Sequence, residues 1–375
     1  MAEHAVISWE EAGSTRTAAW HSERDASPPK RVILADDTLN ADKAYRLACE
    51  GTAMLWRGDY QNAKQLLQAM ARRIDRKPRK SSEYTRENFN LHRQAQSQRA
   101  RTLSMLLLSL EPGYQLNLKR APDVRQVCEE AYGVSTESIV ISLRELLGVI
   151  GAHEWRSRGV DIPALGAKIH PHYGVFSPVR GEYLDLVIRA PLPSNELAFD
   201  IGTGTGIIAA LLAKRGVKRI IATELDARAL ACARHNIARL GFDRQVEVIE
   251  VDLFPPGKAP LIVCNPPWLP ARPSSALEYA IYDPEGRMLL GFLNGLDEHL
   301  EPGGEGWLIL SDIAEHLGLR TREQLQQAID QAGLAIAGRE DIKPRHPKSA
   351  DKTDPLHQAR MAEVTSLWRL ARKSV

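Results

Sequence analysis

The feature of this sequence that most constrains its fold is a glycine-rich segment between an apolar run and a helical pattern. The segment reads Asp200-Ile201-Gly202-Thr203-Gly204-Thr205-Gly206. Glycine reaches backbone conformations that a Cβ would block, and the first turn of a helix leaves N–H groups free. A strand, a turn of this kind and a helix in that order predict an α/β fold with a ligand site at the turn.

Short apolar runs alternate with amphipathic helical patterns throughout the C-terminal half. This alternation predicts a mainly parallel sheet with helices on both faces, which binds its ligands at the carboxyl ends of the strands. The predicted strands span 197–201, 218–223, 246–251, 260–264, 306–311, 334–338 and 364–371. The predicted helices lie near 206–215, 226–240, 285–300 and 321–332.

Two acidic residues stand where the second and third of these strands end. Glu224, followed by Leu225, ends the second strand, and Asp252 with Leu253 ends the third. An acid at the first position can accept hydrogen bonds from both hydroxyls of a ribose. At the second position, the carboxylate can accept from an adenine amino group while the apolar neighbour covers the ring. The glycine turn by itself does not separate NAD, FAD and S-adenosylmethionine as the cofactor.

The fourth strand, Leu261-Ile262-Val263-Cys264, runs directly into Asn265-Pro266-Pro267-Trp268. The two prolines fix φ and remove backbone donors, which makes this turn rigid. The Asn265 side-chain oxygen and the Pro266 carbonyl can both accept from one NH2 group, and Trp268 offers a face for stacking a flat group. A dehydrogenase would give this turn no role, whereas a site that holds a flat NH-bearing substrate beside a nucleotide-like cofactor uses all of it.

Residues 170–311 resemble a class I S-adenosylmethionine-dependent methyltransferase of the methyltransferase small domain kind. The glycine-rich segment matches that superfamily's first motif, Glu224 its ribose-binding acid and Asp252 its adenine-contacting acid. The resemblance implies a Rossmann-like sheet of seven strands with the last antiparallel, and S-adenosylmethionine as the cofactor without a metal. The implied cofactor-binding residues are Asp200, Gly202, Thr203, Gly204, Gly206, Glu224, Leu225, Asp252 and Leu253.

The Asn-Pro-Pro-aromatic motif resembles that of enzymes that methylate exocyclic amino groups of adenine or guanine, and of those that methylate the glutamine amide of release factors. The latter carry Tyr where this chain has Trp268, and the adenine-N6 type tolerates Tyr, Phe or Trp. The resemblance implies that Asn265, Pro266, Pro267 and Trp268 are the catalytic residues. Segments similar to the glutamine enzymes are Asp252-Leu253-Phe254-Pro255, Tyr282-Asp283-Pro284-Glu285-Gly286, Gly295-Leu296 and, loosely, Pro178-Val179-Arg180-Gly181-Glu182.

A basic segment at residues 72–101 stands out from a chain whose net charge is only +2. It holds ten basic side chains and three acids, with Tyr84, Phe89 and His92 interleaved. Such a segment can bind phosphates and stack on bases, and the alternative is a solvated helix face. We therefore expect a nucleobase amine in rRNA or tRNA as the substrate, and RNA or a ribosomal particle as the partner. A protein glutamine amide is the alternative, and an NAD-dependent oxidoreductase the remote one.

The N-terminal part of the chain has a different sequence pattern, without the alternation of short apolar runs and helical patterns. Polar residues at 1–35 predict a flexible leader, and helical periodicity predicts an α-helical N-terminal domain over 36–150. Residues 151–195 are the expected linker and cofactor-covering segment. Residues 196–375 are the expected methyltransferase domain.

Composition narrows the setting in which this chain works. The four cysteines form no CxxC pair, which argues against a zinc site or a disulfide framework and fits a reducing compartment. No stretch approaches the ~20 apolar residues that a membrane span needs. The first 30 residues also lack the apolar core of a signal peptide. We expect a cytoplasmic protein that makes no use of a membrane.

Overall fold

The computed structural model describes residues 5–76, 86–177, 181–273, 276–344 and 356–373. Within these ranges no helix is both long enough and apolar enough to cross a membrane. The chain divides into two compact units. The N-terminal unit comprises Met1–Ser81 and Asn90–Glu154, and the C-terminal unit comprises Ser82–Phe89 and Trp155–Val375.

Six strands form the sheet of the N-terminal unit: β1 (Val6–Glu11), β2 (Ser14–Trp20), β3 (Arg31–Ala35), β4 (Thr52–Trp56), β5 (Leu106–Leu110) and β6 (Ile139–Ser142). Their order is β1-β2-β6-β5-β4-β3. Strands β3, β4 and β5 are parallel, whereas β1 and β2 form an antiparallel hairpin. The hairpin turns at Ala12 and Gly13, which both have positive φ, as the twist of a two-residue hairpin requires.

The helices in this part of the chain are α1 (Ala41–Cys49), α2 (Tyr60–Asp75), α3 (Arg86–Leu103), α4 (Arg125–Tyr132) and α5 (Leu143–Arg158). Asn40 caps α1, since its side-chain oxygen accepts from the Lys43 backbone N at 2.9 Å. Helix residues such as Ala44 and Leu67 pack with strand residues such as Met54 in one apolar cluster. The sheet therefore carries the core of this unit.

This unit is α/β, so the prediction of a flexible leader followed by an all-helical domain is wrong. Within the supposed leader, 6–11, 14–20 and 31–35 are strands. Within the supposed helical domain, 52–56 is strand β4 and 106–110 is strand β5. A short run that is apolar throughout fits a buried strand as well as a buried helix. Pairing with strands distant in sequence decided between the two.

Residues 151–195, the expected linker, hold three regular elements after the end of α5. Strands β7 (Val160–Ile162) and β8 (Ala167–Ile169) form an antiparallel hairpin, and helix α6 spans Glu182–Arg189. Tyr183 and Leu186 of α6 are buried in the main core of the C-terminal unit. This stretch is therefore part of the C-terminal unit's packing.

Seven strands form the main sheet of the C-terminal unit: β9 (Leu197–Ile201), β10 (Arg219–Glu224), β11 (Val246–Glu250), β12 (Ala259–Cys264), β13 (Leu300–Ser311), β14 (Leu334–Ile342) and β15 (Thr365–Arg372). Their order is β11-β10-β9-β12-β13-β15-β14. All pairs are parallel except those of β15, which runs antiparallel to both neighbours. The predicted Rossmann-like sheet with an antiparallel last strand is confirmed.

The helices of this unit are α7 (Ile207–Lys214), α8 (Ala227–Leu240), α9 (Arg287–His299), α10 (Ile313–His316), α11 (Arg322–Gln331) and α12 (His357–Ala362). Helices α6, α7 and α8 pack on one face of the sheet, and α9 and α11 on the other. In β9, Ala198 points to the first face and Phe199 to the second. Because both faces are covered, the central strands are apolar along their length.

A smaller apolar cluster lies beyond the carboxyl ends of β12 and β13. It includes Phe89, Leu269, Ile313 and Leu317, and Trp268 packs against it. Phe89 is only 2% exposed. The expectation that Phe89 stacks on nucleic-acid bases is wrong, because its ring is taken up by this core.

We expect Phe89→Ala to lower the free energy of unfolding by about 3–5 kcal/mol, as is usual for a buried aromatic side chain. Leu91→Ala on the same helix removes a side chain that is 54% exposed. It should change that free energy by less than about 0.5 kcal/mol. Denaturant unfolding followed by circular dichroism compares the two variants. Equal losses would contradict the assignment of Phe89 to the core.

Candidate active site

The carboxyl ends of four neighbouring strands bring the predicted site residues to one edge of the main sheet. The order β11-β10-β9-β12 places Asp252, Glu224, the glycine turn after β9 and Asn265 in succession along this edge. In the parallel pair β9 and β12, Ile201 lies opposite Cys264. The glycine turn and the Asn-Pro-Pro turn therefore leave the sheet at adjacent points.

Three glycines shape the turn after β9. Gly202, Gly204 and Gly206 have φ of +68°, +57° and +81°, which side chains other than glycine rarely adopt. A Cβ on Gly202 would overlap Met288 Cε, the flexible end of a side chain on α9, so the glycine leaves room for that side chain. A Cβ on Gly204 would meet nothing within 4 Å. Gly204 thus leaves an open backbone face for a ligand.

The buried side chain of Asp200 accepts hydrogen bonds from this turn and from α7. The carboxylate is 1% exposed, and its Oδ2 accepts from Thr203 Oγ1 at 2.6 Å and from the Ala209 backbone N at 3.0 Å. Its Oδ1 is buried without a hydrogen-bond partner. Burial raises the pKa of Asp200 to about 7, with help from the Glu224 charge and against the effect of the two hydrogen bonds. Asp200 shapes the turn and is covered by it.

Glu224 stands next to the open face of Gly204. The Gly204 backbone N donates to Glu224 Oε2 at 2.9 Å. The backbone N atoms of Leu225 and Asp226 donate to Oε1 at 2.9 and 3.1 Å. A carboxylate has about four acceptor positions, so these bonds fix its direction and leave capacity for a ligand hydroxyl. Leu225, beside it, is 55% exposed.

The next strand end presents Asp252 and Leu253. The Asp252 side chain is half exposed and forms an ion pair with Arg287, the first residue of α9. Leu253 has φ of +62°, and its carbonyl accepts from Thr223 Oγ1 at 2.6 Å, which fixes this turn against β10. Sequence reasoning missed Arg287, because nothing in the chain spacing relates it to Asp252.

Asn265 lies partly buried between two aromatic side chains. Trp268 Nε1 donates to Asn265 Oδ1 at 2.9 Å. The phenol of Tyr183, on α6, hydrogen-bonds with the same side chain. Burial raises the pKa of Tyr183 above its ordinary range, the Asp200 charge adds to this, and the bond with Asn265 opposes it. Tyr183 was also missed; its only signal was its place one residue after the loose Pro-Val-Arg-Gly-Glu match.

Asp283 ties the Asn-Pro-Pro loop to α9. Its backbone N donates to the Leu269 carbonyl at 2.8 Å. Its carboxylate accepts from the backbone N atoms of Met288 at 3.0 Å and Leu289 at 3.1 Å. Burial raises the pKa of Asp283, and these backbone bonds lower it. Because Met288 lies against Gly202, one buried carboxylate links the two turns of the site.

Some basic side chains of the segment 72–101 are paired with acidic side chains. Arg73 is paired with Asp42, and Arg99 forms two bonds of 2.9 Å with Asp75. Residues 77–85, with several of the predicted basic side chains and Tyr84, lie outside the described residues, as does 178–180. Within the described part of 72–101, the exposed arginines without a carboxylate partner are Arg72, Arg76, Arg86 and Arg101.

The chain matches the methyltransferase small domain over residues 166–334. It is 30% identical over 162 residues to a putative protein N5-glutamine methyltransferase of Methanocaldococcus jannaschii, covering 41% of this chain and 80% of that protein. It is 35% identical over 150 residues to the release factor glutamine methyltransferase of Cereibacter sphaeroides, covering 36% and 51%. A tRNA1(Val) (adenine(37)-N6)-methyltransferase of Bacteroides thetaiotaomicron is 40% identical over 74 residues, covering 18% and 31%.

The sheet, the glycine turn and the carboxylates at its strand ends define an α/β enzyme with a nucleoside-type cofactor. The chain belongs to the methyltransferase small domain family, and it is an S-adenosylmethionine-dependent methyltransferase. The open face of Gly204 beside the Glu224 carboxylate fits that cofactor. Among the described residues, no group of three His, Cys, Asp or Glu can hold a metal ion. The chain spans about half of the release factor enzyme and a third of the tRNA enzyme.

The raised pKa of Asp200 makes stability depend on pH. Because the native pKa of about 7 exceeds the ordinary 3.8, the folded state binds this proton more tightly. That contribution is present in acid and is lost as pH rises through the native pKa. Between pH 5 and 8, the wild type should lose stability relative to Asp200→Asn, by up to roughly 1.4 kcal/mol per pKa unit of the shift. Urea unfolding across this range measures it, and parallel pH profiles would contradict the assignment.

Gly204→Ala puts a methyl group on the open face of the turn. We expect the Kd for S-adenosylmethionine to rise roughly tenfold or more, since about 1.4 kcal/mol of lost contact is tenfold in affinity. Gly216→Ala is the matched control, because Gly216 has φ of +90° and equally open surroundings. It should share the backbone strain and keep the affinity. Isothermal titration calorimetry compares the two, and equal affinities would place the cofactor elsewhere.

Proposed function

We propose that this enzyme transfers a methyl group from S-adenosylmethionine to a planar exocyclic nitrogen. One observation carries the proposal: the Asn-Pro-Pro turn leaves β12 beside the point where the glycine turn leaves β9, with Cys264 opposite Ile201. A methyl donor held at one turn and an acceptor nitrogen held at the other are then neighbours. Proximity and alignment of the reacting atoms contribute much of the barrier reduction in such transfers.

We assign the cofactor-holding roles to the residues along the same edge. Glu224 accepts from the ribose hydroxyls, and its direction is set by the Gly204, Leu225 and Asp226 amides. Asp252 accepts from the adenine amino group with the oxygen that Arg287 leaves free. The apolar side chains of Leu225 and Leu253 flank the adenine ring. Asp200, Gly202, Thr203, Gly204 and Gly206 shape the turn that meets the methionine part.

When bound, the cofactor supplies an electrophilic methyl group on a sulfonium. Asn265 Oδ1 and the Pro266 carbonyl accept hydrogen bonds from the two hydrogens of the acceptor NH2, which aims the nitrogen lone pair at the methyl group. The same two oxygens stabilise the positive charge that develops on that nitrogen. Pro266 and Pro267 fix the backbone at this point, so the oxygens are in place before the reaction. The methylated nitrogen then loses a proton readily, and no strong base is needed.

Our first candidate for the acceptor is a nucleobase amine in rRNA or tRNA. The support is the exposed arginines of the N-terminal unit, Arg72, Arg76 and Arg101, which suit phosphate contacts. The identity to a tRNA adenine-N6 methyltransferase, confined to 74 residues, is in keeping with it. Trp268 has a partly exposed ring that offers stacking surface for a base.

The second candidate is a glutamine amide in a protein. It is favoured by the two relatives named as glutamine methyltransferases, which match this chain over 162 and 150 residues. An amide NH2 and a base NH2 present the same two donors to Asn265 and Pro266. The site chemistry is thus common to both candidates, and the rest of the molecule selects between them.

Labelling distinguishes the two acceptors. The purified protein is incubated with methyl-labelled S-adenosylmethionine and a cell extract, and the product is split by RNase or protease. Label released by RNase supports the RNA assignment, and label released by protease supports the glutamine assignment. Absence of label in every fraction would overturn the proposed reaction.

Asn265→Ala should lower kcat by about 10²–10³-fold, the usual cost of removing one donor or acceptor that stabilises transition-state charge. The Kd for S-adenosylmethionine should stay within about twofold, because Asn265 is proposed to contact the acceptor and not the cofactor. A twofold change in Kd corresponds to only a few tenths of a kcal/mol. Asn294→Ala, at an exposed position on α9, is the control and should keep full activity. Initial rates and calorimetry measure both quantities. Turnover retained by Asn265→Ala would remove the assigned role.

A further inference from the structure

The indole N–H of Trp268 forms a hydrogen bond, although stacking would need only the face of the ring. Its Nε1 donates to Asn265 Oδ1 at 2.9 Å, within the same partly buried turn. Pro266 and Pro267, between the two residues, fix the backbone and make this short closed loop rigid. The amide oxygen that the acceptor nitrogen is to meet is therefore already held by the protein.

The Trp268 ring is itself held in place. It packs against the apolar cluster of α9 and the sheet, and also against the cluster of Leu269, Ile313 and Leu317. A ring fixed by packing presents its N–H in one direction, so the bond to Asn265 costs little further ordering. Neither phenylalanine nor tyrosine has a donor at the position of the indole nitrogen.

A primary amide can rotate by half a turn and exchange its oxygen for its nitrogen. The two orientations have opposite chemistry here, because only the oxygen accepts from an NH2 group. A donor on the protein side selects the orientation with Oδ1 toward Trp268. The oxygen has a second lone pair, which remains available to the acceptor substrate.

We propose that Trp268 is a positioning residue for Asn265: its indole N–H selects the amide orientation in which Oδ1 can receive the acceptor NH2. This inference rests on the proposed function and deepens it. It gives Trp268 a task that is separate from stacking.

Tyr183 is a second neighbour of the Asn265 amide. Its interaction with the Asn265 side chain lowers the pKa of Tyr183, against the larger effect of its burial.

The hydrogen bond is tested without any acceptor substrate. In protein labelled with 15N-tryptophan, the Trp268 indole N–H is assigned by its loss in Trp268→Phe, and its hydrogen exchange is measured by NMR. We expect Asn265→Ala to speed that exchange roughly tenfold or more, and Asn265→Asp, which keeps acceptor oxygens, to preserve protection. The Trp307 indole, bonded to Glu305 at 2.9 Å, is the internal control. Unchanged Trp268 exchange in Asn265→Ala would overturn the proposal.

The catalytic consequence is tested with the acceptor fraction that the wild type labels. Trp268→Phe keeps an aromatic ring and loses the donor, so kcat should fall roughly tenfold while the KM for the acceptor changes less than about twofold. In the Asn265→Ala background the same substitution should cause no further fall, because both act through one amide. Trp307→Phe should leave kcat unchanged.

The outcomes separate this proposal from the proposed function. A wild-type rate in Trp268→Phe, or an additive loss in the double variant, would overturn the positioning role. The proposed function fails differently, through a lack of label with the wild-type enzyme. A loss in Trp268→Phe that appears mainly in KM would assign the residue to stacking and would also overturn the positioning role.

Discussion

The candidate active site depends on the parallel pairing of β9 with β12. That pairing sets Ile201 opposite Cys264, so two turns that are distant in sequence start from neighbouring points of one sheet edge. Each turn is rigid for its own reason: left-handed glycines after β9, and consecutive prolines after β12. The glycine turn and the Asn-Pro-Pro turn are thus fixed relative to each other by backbone hydrogen bonds of the sheet.

Buried polar side chains carry this rigidity into the loops. Asp200 binds the glycine turn from behind, Thr223 holds the carbonyl of Leu253, and Asp283 joins the loop after Trp268 to the start of α9. Each bond satisfies a backbone or hydroxyl group that would otherwise be buried unpaired, which is costly. The Asp200 carboxyl has one oxygen with no partner, and its raised pKa reflects that cost. The loops that shape the site are therefore held by contacts from the core side.

Sequence periodicity predicts the elements of the C-terminal unit better than those of the N-terminal unit. In the C-terminal unit, the strands and the four long helices follow from periodicity, since apolar strands covered on both faces alternate with amphipathic helices. In the N-terminal unit, Ala53 to Leu55 and Leu106 to Leu110 were expected in helices and are strands. These short apolar runs have no periodicity that distinguishes a buried strand from a buried helix. Phe89 was expected to contact nucleic acid but is buried in the core. The type of a side chain does not by itself reveal whether it is buried.

The sequence by itself indicated an S-adenosylmethionine-dependent methyltransferase and the turns that form its candidate site, because glycines, prolines and strand-end acids have local conformational and chemical requirements that spacing reveals. Only the tertiary structure decided the partners of those residues. Trp268 with Tyr183 at Asn265, Arg287 at Asp252, and Met288 at Gly202 are contacts between elements distant in the chain or set by side-chain rotamers. Such contacts follow from how helices pack on the sheet, and no local pattern encodes that packing.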